Sequence, residues 1–295
     1  MLPIRSFVSG AAVAGAIAAA VAFFPDSSSA NATAAELTAA ELSAQQSLPA
    51  DAENALKRLE SSPRHGEWAM IIEGADTVKA WVVYPERADK APVVVVVHEI
   101  FGLTHWVRGV ADQLAADGFI AVAPDLMTTK NLPTGPNGPD QTAATTAIRT
   151  LDPAVVQRQI LLAANYGMKL PAALPKYGVV GFCWGGSAVF NHAVSSPTLG
   201  ASVVYYGSSP ATPTLASVKA PVLGLYGGND ARVNATIAPA DSALKAAGKQ
   251  YEPVIYEGAG HGFLRQQGGA EGANLKASQQ AWPRTIAFFK AKLGA

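Results

Sequence analysis

Three side chains that together can perform acyl transfer stand at glycine-rich turns of this chain: a thiol at Cys183, a carboxylate at Asp230 and an imidazole at His261. Cys183 occupies the centre of Gly181-Phe182-Cys183-Trp184-Gly185, the G-x-nucleophile-x-G spacing of a nucleophile elbow. In such a turn the chain passes so sharply from strand to helix that the nucleophile is strained and a Cβ two residues away on either side would collide. A thiol with a pKa of about 8.5 is mostly protonated at neutral pH, so it needs a base or a stabilising cation. His261, in Gly260-His261-Gly262-Phe263, can accept that proton and return it to a leaving group. Asp230, in Gly227-Gly228-Asn229-Asp230, would fix the imidazole tautomer and stabilise its cationic form. It can also be read as a simple turn cap, the common role of Gly-Asn-Asp. The complete set would divide acyl transfer into a thioester step and its hydrolysis.

The tetrahedral oxyanion of that chemistry needs two donors. One is the backbone N–H of Trp184, at the start of a helix whose dipole also favours a thiolate. The other should come from His98-Glu99-Ile100-Phe101-Gly102, and Ile100 is the candidate. Metal chemistry is not indicated, because no cluster of His, Cys or carboxylate residues has ligand spacing. His65, His105, His192 and Asp125 read as structural or solvated.

These residues require strands to carry them. Residues 92–97 form an unbroken apolar run, as expected of a central parallel strand covered on both faces. Further strands are expected over 68–72, 80–84, 119–123, 178–180, 201–206, 222–226 and 251–256. Helices are expected over 106–117, 153–168, after the elbow, and 275–292, with Pro283 able to kink or split the last one. Residues 128–140, rich in proline, glycine and polar residues, read as a long loop. The alternation predicts one doubly wound, mostly parallel α/β sheet with helices on both faces. The order nucleophile, acid, histidine, each after a strand, is that of the α/β-hydrolase fold.

Composition narrows the partners. The 295 residues are 49% hydrophobic and 15% charged, with Lys+Arg and Asp+Glu both 22, so neither nucleic acid nor an anionic membrane is indicated. Arg5, an apolar stretch over 7–24 and Ala30-Asn31-Ala32 read as a secretory signal peptide, 1–32, cut after Ala32, in preference to a retained anchor. Residues 33–66 read as a linker with a short amphipathic helix over 51–61, and 67–295 as the catalytic domain. The mature protein is expected to be periplasmic or secreted and monomeric, with no membrane contact after signal removal. A lone cysteine in an oxidising compartment cannot form an internal disulfide, which strengthens its reading as a nucleophile.

His98-Glu99-Ile100-Phe101-Gly102-Leu103, Ala123-Pro124-Asp125-Leu126, Gly181-Phe182-Cys183-Trp184-Gly185-Gly186, Gly227-Gly228-Asn229-Asp230 and Gly260-His261-Gly262-Phe263 resemble the dienelactone hydrolase family over most of 67–295. The resemblance implies hydrolysis of a small ester or lactone without a cofactor, the carboxymethylenebutenolidase type of reaction. It also implies that Glu99 lies near the thiol and helps activate it when substrate binds. Arg265 matches one of two arginines that hold the substrate carboxylate in the family. The second should lie ahead of the helix at Pro153, where only Arg149 is available. A broad carboxylesterase or thioesterase, and a catalytically silent binding protein of the same fold, are the competing readings.

Overall fold

The protein is described here by a computed structural model covering residues 47–135 and 138–294. The expected signal peptide, 1–32, and the first part of the expected linker lie outside the described residues. The chain lays down strands β1 (Gly66–Glu73), β2 (Asp76–Val83), β3 (Ala91–Val97), β4 (Ile120–Asp125), β5 (Thr134–Gly135), β6 (Gly138–Pro139), β7 (Ala173–Phe182), β8 (Ala201–Tyr205), β9 (Val222–Gly227) and β10 (Tyr251–Tyr256). Between and around them run helices α1 (Ala55–Glu60), α2 (His105–Ala116), α3 (Gln141–Ala147), α4 (Pro153–Lys169), α5 (Trp184–Ser195), α6 (Ala231–Asn234), α7 (Ile237–Ala246) and α8 (Ala273–Leu293).

Eight strands form one sheet in the order β1-β2-β4-β3-β7-β8-β9-β10. The pairs β1/β2 and β2/β4 are antiparallel and the others parallel. This is the expected doubly wound sheet. The valine run of β3 shows why it reads as continuous apolar sequence. Val93, Val95 and Val97 enter the core that contains residues of α4 and α5, while Val94 and Val96 enter the opposite core with α2 and α8. A central strand buried on both faces leaves no position for a polar residue.

Several elements depart from the sequence expectation. The stretch 128–140 is not one irregular loop: it contains a short 3-10 turn and the small β5/β6 ladder, and α3 follows it. Pro283 does not split α8, which runs through it. The proline sits on the exposed face, where the carbonyl it leaves unpaired can be solvated. The expected helix over 51–61 is confined to α1, and residues 47–65 are fastened to the domain. Leu48 and Ala55 are fully buried in the core beside α2. Arg64 grips Asp112 through Nε and Nη2 at 3.0 and 2.5 Å. Among the described residues, no helix is long and apolar enough to cross a membrane.

Candidate active site

The carboxyl ends of the parallel strands gather the residues that sequence singled out. Cys183 follows β7 with φ 56° and ψ −116°, a left-handed backbone that side chains other than glycine rarely adopt. Its neighbours explain the motif. A Cβ on Gly181 would fall 2.1 Å from the carbonyl oxygen of Gly185, and one on Gly185 would fall 2.4 Å from that of His98. Glycine at both positions lets α5 begin against β7 and against the loop after β3. The Cys183 N–H donates to the Tyr205 carbonyl at 3.1 Å, tying the elbow to β8.

Asp230 makes both of the contacts that its two readings call for. Its Oδ1 accepts from the Val233 N–H at 3.4 Å and caps α6, while its Oδ2 lies 2.5 Å from His261 Nδ1. A carboxylate can only accept, so Nδ1 carries the proton and Nε2 is left free to act as a base. Asp230 is buried, and the imidazole is partly exposed at the rim. Among the described residues no hydrogen bond joins Cys183 Sγ to His261.

The loop after β3 supplies the next group. Glu99 is almost wholly buried, and its Oε2 stands 2.9 Å from Arg265 Nε, an ion pair whose N–H is not aimed at the oxygen. Burial pushes the Glu99 carboxyl up to about 7, with Arg265 acting in the opposite direction. The same burial, reinforced by the Glu99 charge, pushes the Cys183 thiol up to about 11. The Trp184 N–H and the Arg232 guanidinium oppose this shift without reversing it. At neutral pH Cys183 therefore rests as a thiol, and the helix dipole does not make it a thiolate. Ile100 is half-buried beside Met127, Ala144, Ile148 and Trp184.

Two residues at this site have no role assigned to them from the sequence. Tyr206, directly after β8, is fully buried with φ 40°, and its ring lies 5.1 Å from that of His261. Its burial and the nearby charge of Glu99 hold the phenol well above its ordinary value, so it stays neutral. His98 is fully buried, with Nδ1 2.7 Å from the Glu99 carbonyl and Nε2 accepting from the Leu126 N–H at 3.2 Å. Arg149, the weak candidate for a second anion-binding arginine, is exposed on the 3-10 turn Ile148–Thr150. Beside Arg265 opens a cavity of about 380 Å³, lined in part by Ala52, Leu56, Phe101, His105 and Gln141. Among the described residues no group of three His, Cys, Asp or Glu side chains is placed to hold a metal ion.

Comparison with known proteins was consistent across sequence and structure. The family model of the dienelactone hydrolase family matches residues 78–293. A Yersinia pestis protein with the provisional name carboxymethylenebutenolidase is 30% identical over 240 residues, covering 76% of this chain and 87% of its own. A Salmonella typhimurium protein of the same provisional name is 31% identical over 235 residues, covering 74% and 84%. The crystal structure of a Klebsiella pneumoniae protein, provisionally named a dienelactone hydrolase, superposes with a TM-score of 0.66 at 27% identity, covering 77% of this chain and 98% of that one.

Proposed function

This chain belongs to the dienelactone hydrolase family, and from that premise we propose that it hydrolyses a small ester or lactone bearing a carboxylate through Cys183, His261 and Asp230. The observation that carries the reading is the Asp230–His261 bond at the same sheet edge as the strained Cys183. Nothing in this route calls for a cofactor.

The magnitudes say that the resting site must be triggered. The thiol is held at about 11 and the Glu99 carboxyl at about 7, so proton transfer between them is uphill in the free protein. A substrate carboxylate competing for Arg265 removes the cation that keeps Glu99 acidic, so Glu99 becomes more basic and the gap narrows. Glu99 then takes the proton from Sγ–H and relays it to His261 Nε2. Sulfur attacks the acyl carbon, forming the C–S bond, and the N–H groups of Ile100 and Trp184 hold the oxyanion. Collapse breaks the C–O bond, and His261 returns its proton to the leaving oxygen. A water, deprotonated by His261, attacks the thioester; the C–S bond breaks and the thiol is restored.

The test is turnover of a dienelactone and of matched anionic and neutral aryl esters by the wild type and Cys183→Ala. Mass spectrometry of rapidly quenched reactions checks for an acyl adduct on Cys183. Turnover that survives in Cys183→Ala would overturn the thioester route. One observation favours broader carboxylesterase or thioesterase activity as a second reading: Arg149 is exposed, and no other arginine lies between residues 140 and 152. Equal efficiency on neutral esters would select it.

Export to the periplasm or medium, with cleavage after Ala32, is proposed on the N-terminal sequence alone. The mass of the protein recovered from its native host decides this, since an intact Met1 on the active form would overturn it.

A further inference from the structure

The loop after β3 contains a histidine to which the reaction above assigns nothing, and its hydrogen bonds leave a single protonation state. The Leu126 N–H donates to His98 Nε2 at 3.2 Å, so Nε2 carries no proton. The Glu99 carbonyl, 2.7 Å from Nδ1, can only accept, so Nδ1 must carry one. His98 is thus a neutral Nδ1–H imidazole, buried and fixed at both ends. Its ring also lies nearly parallel to that of Trp184, with centroids 5.9 Å apart and planes 17° apart.

The carbonyl that His98 holds belongs to the same peptide unit as the Ile100 N–H. A trans peptide is planar, with C=O and N–H pointing in opposite directions. Fixing the Glu99 oxygen on the His98 side therefore fixes the Ile100 N–H on the other. The Gly102 N–H donates to the same carbonyl at 3.3 Å, a longer second tether. The Ile100 N–H itself has no hydrogen-bond partner among the described residues. The loop is also set against the elbow, where Gly185 meets the His98 carbonyl.

We propose that His98 is a positioning residue for the oxyanion hole, holding the Glu99–Ile100 peptide so that the Ile100 N–H, and not the Glu99 carbonyl, faces the acyl oxygen at Cys183. This rests on the hydrolase reading above and on Ile100 as the second donor. If the peptide turned over, a donor would be replaced by a carbonyl oxygen that repels the developing negative charge. The segment Ala123-Pro124-Asp125-Leu126, where β4 ends, gains a purpose here, since its Leu126 N–H sets the tautomer on which the arrangement depends.

His98→Asn and His98→Gln separate this role from general support. The Asn amide nitrogen can take the place of Nδ1 and still donate to the Glu99 carbonyl; the Gln amide reaches the Nε2 position and cannot. Steady-state ester hydrolysis should show kcat reduced about 10²-fold in His98→Gln with KM little changed, and largely restored in His98→Asn. Alkylation of Cys183 by iodoacetamide, which forms no oxyanion, should proceed at the wild-type rate in both. Equal kcat in His98→Gln and wild type, equal losses in both variants, or alkylation falling in parallel with kcat would each overturn the proposal. A wild type inert towards every ester tested would instead overturn the hydrolase reading, and this inference with it. Should His98→Gln fail to fold, 15N-resolved imidazole spectra of the wild type still decide: a neutral Nδ1–H tautomer supports the role, and an Nε2–H or doubly protonated ring overturns it.

Discussion

Glu99 and Arg265 form a buried ion pair in the free protein. Arg265 Nε stands 2.9 Å from Glu99 Oε2, and the same guanidinium lies over the Phe101 ring, 5.0 Å from its centroid. The arginine expected to greet an anionic substrate is thus already occupied by the carboxylate expected to activate the nucleophile. In the proposed mechanism one anion displaces the other, and activation of Cys183 is tied to arrival of a charged substrate.

Glu99→Gln should move two observables in opposite directions. The Glu99 charge contributes to raising the thiol to about 11, so the neutral amide should lower the Cys183 titration midpoint, and the unpaired Arg265 should lower it further. Turnover should nevertheless fall, because the group that assists thiol deprotonation is gone. Ultraviolet titration of the thiolate, run beside ester hydrolysis, reads both. A midpoint that rises, or turnover that holds, would remove Glu99 from the mechanism.

The same carboxyl should leave a signature in stability. Its pKa is raised from 4.5 to about 7 on folding, so the folded state binds the extra proton between those values. Stability from this group is full below about 4.5 and is lost as pH rises through about 7, a difference of about 3 kcal/mol at most. Glu99→Gln cannot titrate. Urea unfolding at pH 5 and pH 8 should therefore show a larger loss in wild type than in the variant. An equal loss in both would contradict the raised pKa.

Which parts of this arrangement could be read from sequence follows from the range of the forces involved. The elbow was legible because the turn leaves no room for a Cβ at Gly181 or Gly185, a local requirement written in residue type. The β3 valines were legible because burial on two faces excludes every polar residue. The Glu99–Arg265 pair was not, since it joins loops distant in the chain and either residue alone resembles a solvated charge. His98 was silent for the same reason: its role appears only once Leu126 is placed beside its ring. Helix α3, Gln141–Ala147, escaped because its threonines and alanines carry no apolar period.

Removing the chemistry without removing the fold is the direct check on the triad. Cys183→Ala and His261→Ala should each lower kcat by about 10³-fold or more while leaving the thermal midpoint close to wild type. Asp230→Ala should cost both activity and some stability, because Asp230 Oδ1 caps α6 as well as bonding to His261. If either of the first two variants kept a substantial share of wild-type kcat, Cys183 and His261 would not be nucleophile and base.

Arg265→Ala separates substrate recognition from structure. Anionic esters should lose kcat/KM by a larger factor than neutral ones of the same shape, through loss of a charge-assisted partner. Because Glu99 also loses its counter-ion, some loss is expected for both classes. Only the difference between the classes reports recognition. Identical factors for the two would reject Arg265 as the carboxylate partner.

The last prediction concerns residues 47–65, all of which precede β1 and fall outside the span matched by the family model. The Ala52 N–H donates to the Arg265 carbonyl at 3.0 Å, and Gln267 Nε2 donates to the Pro49 carbonyl at 2.8 Å. The segment that carries Arg265 is therefore held from outside by this strap, and Leu48, 1% exposed, anchors the strap in the core. Leu48→Ala should cost about 2–5 kcal/mol, the usual price of a core leucine. If the strap also positions Arg265, the variant's KM should rise by a larger factor for anionic esters than for neutral ones, measured well below its melting temperature. A loss of stability with unchanged selectivity would show that the strap supports the fold and not the site.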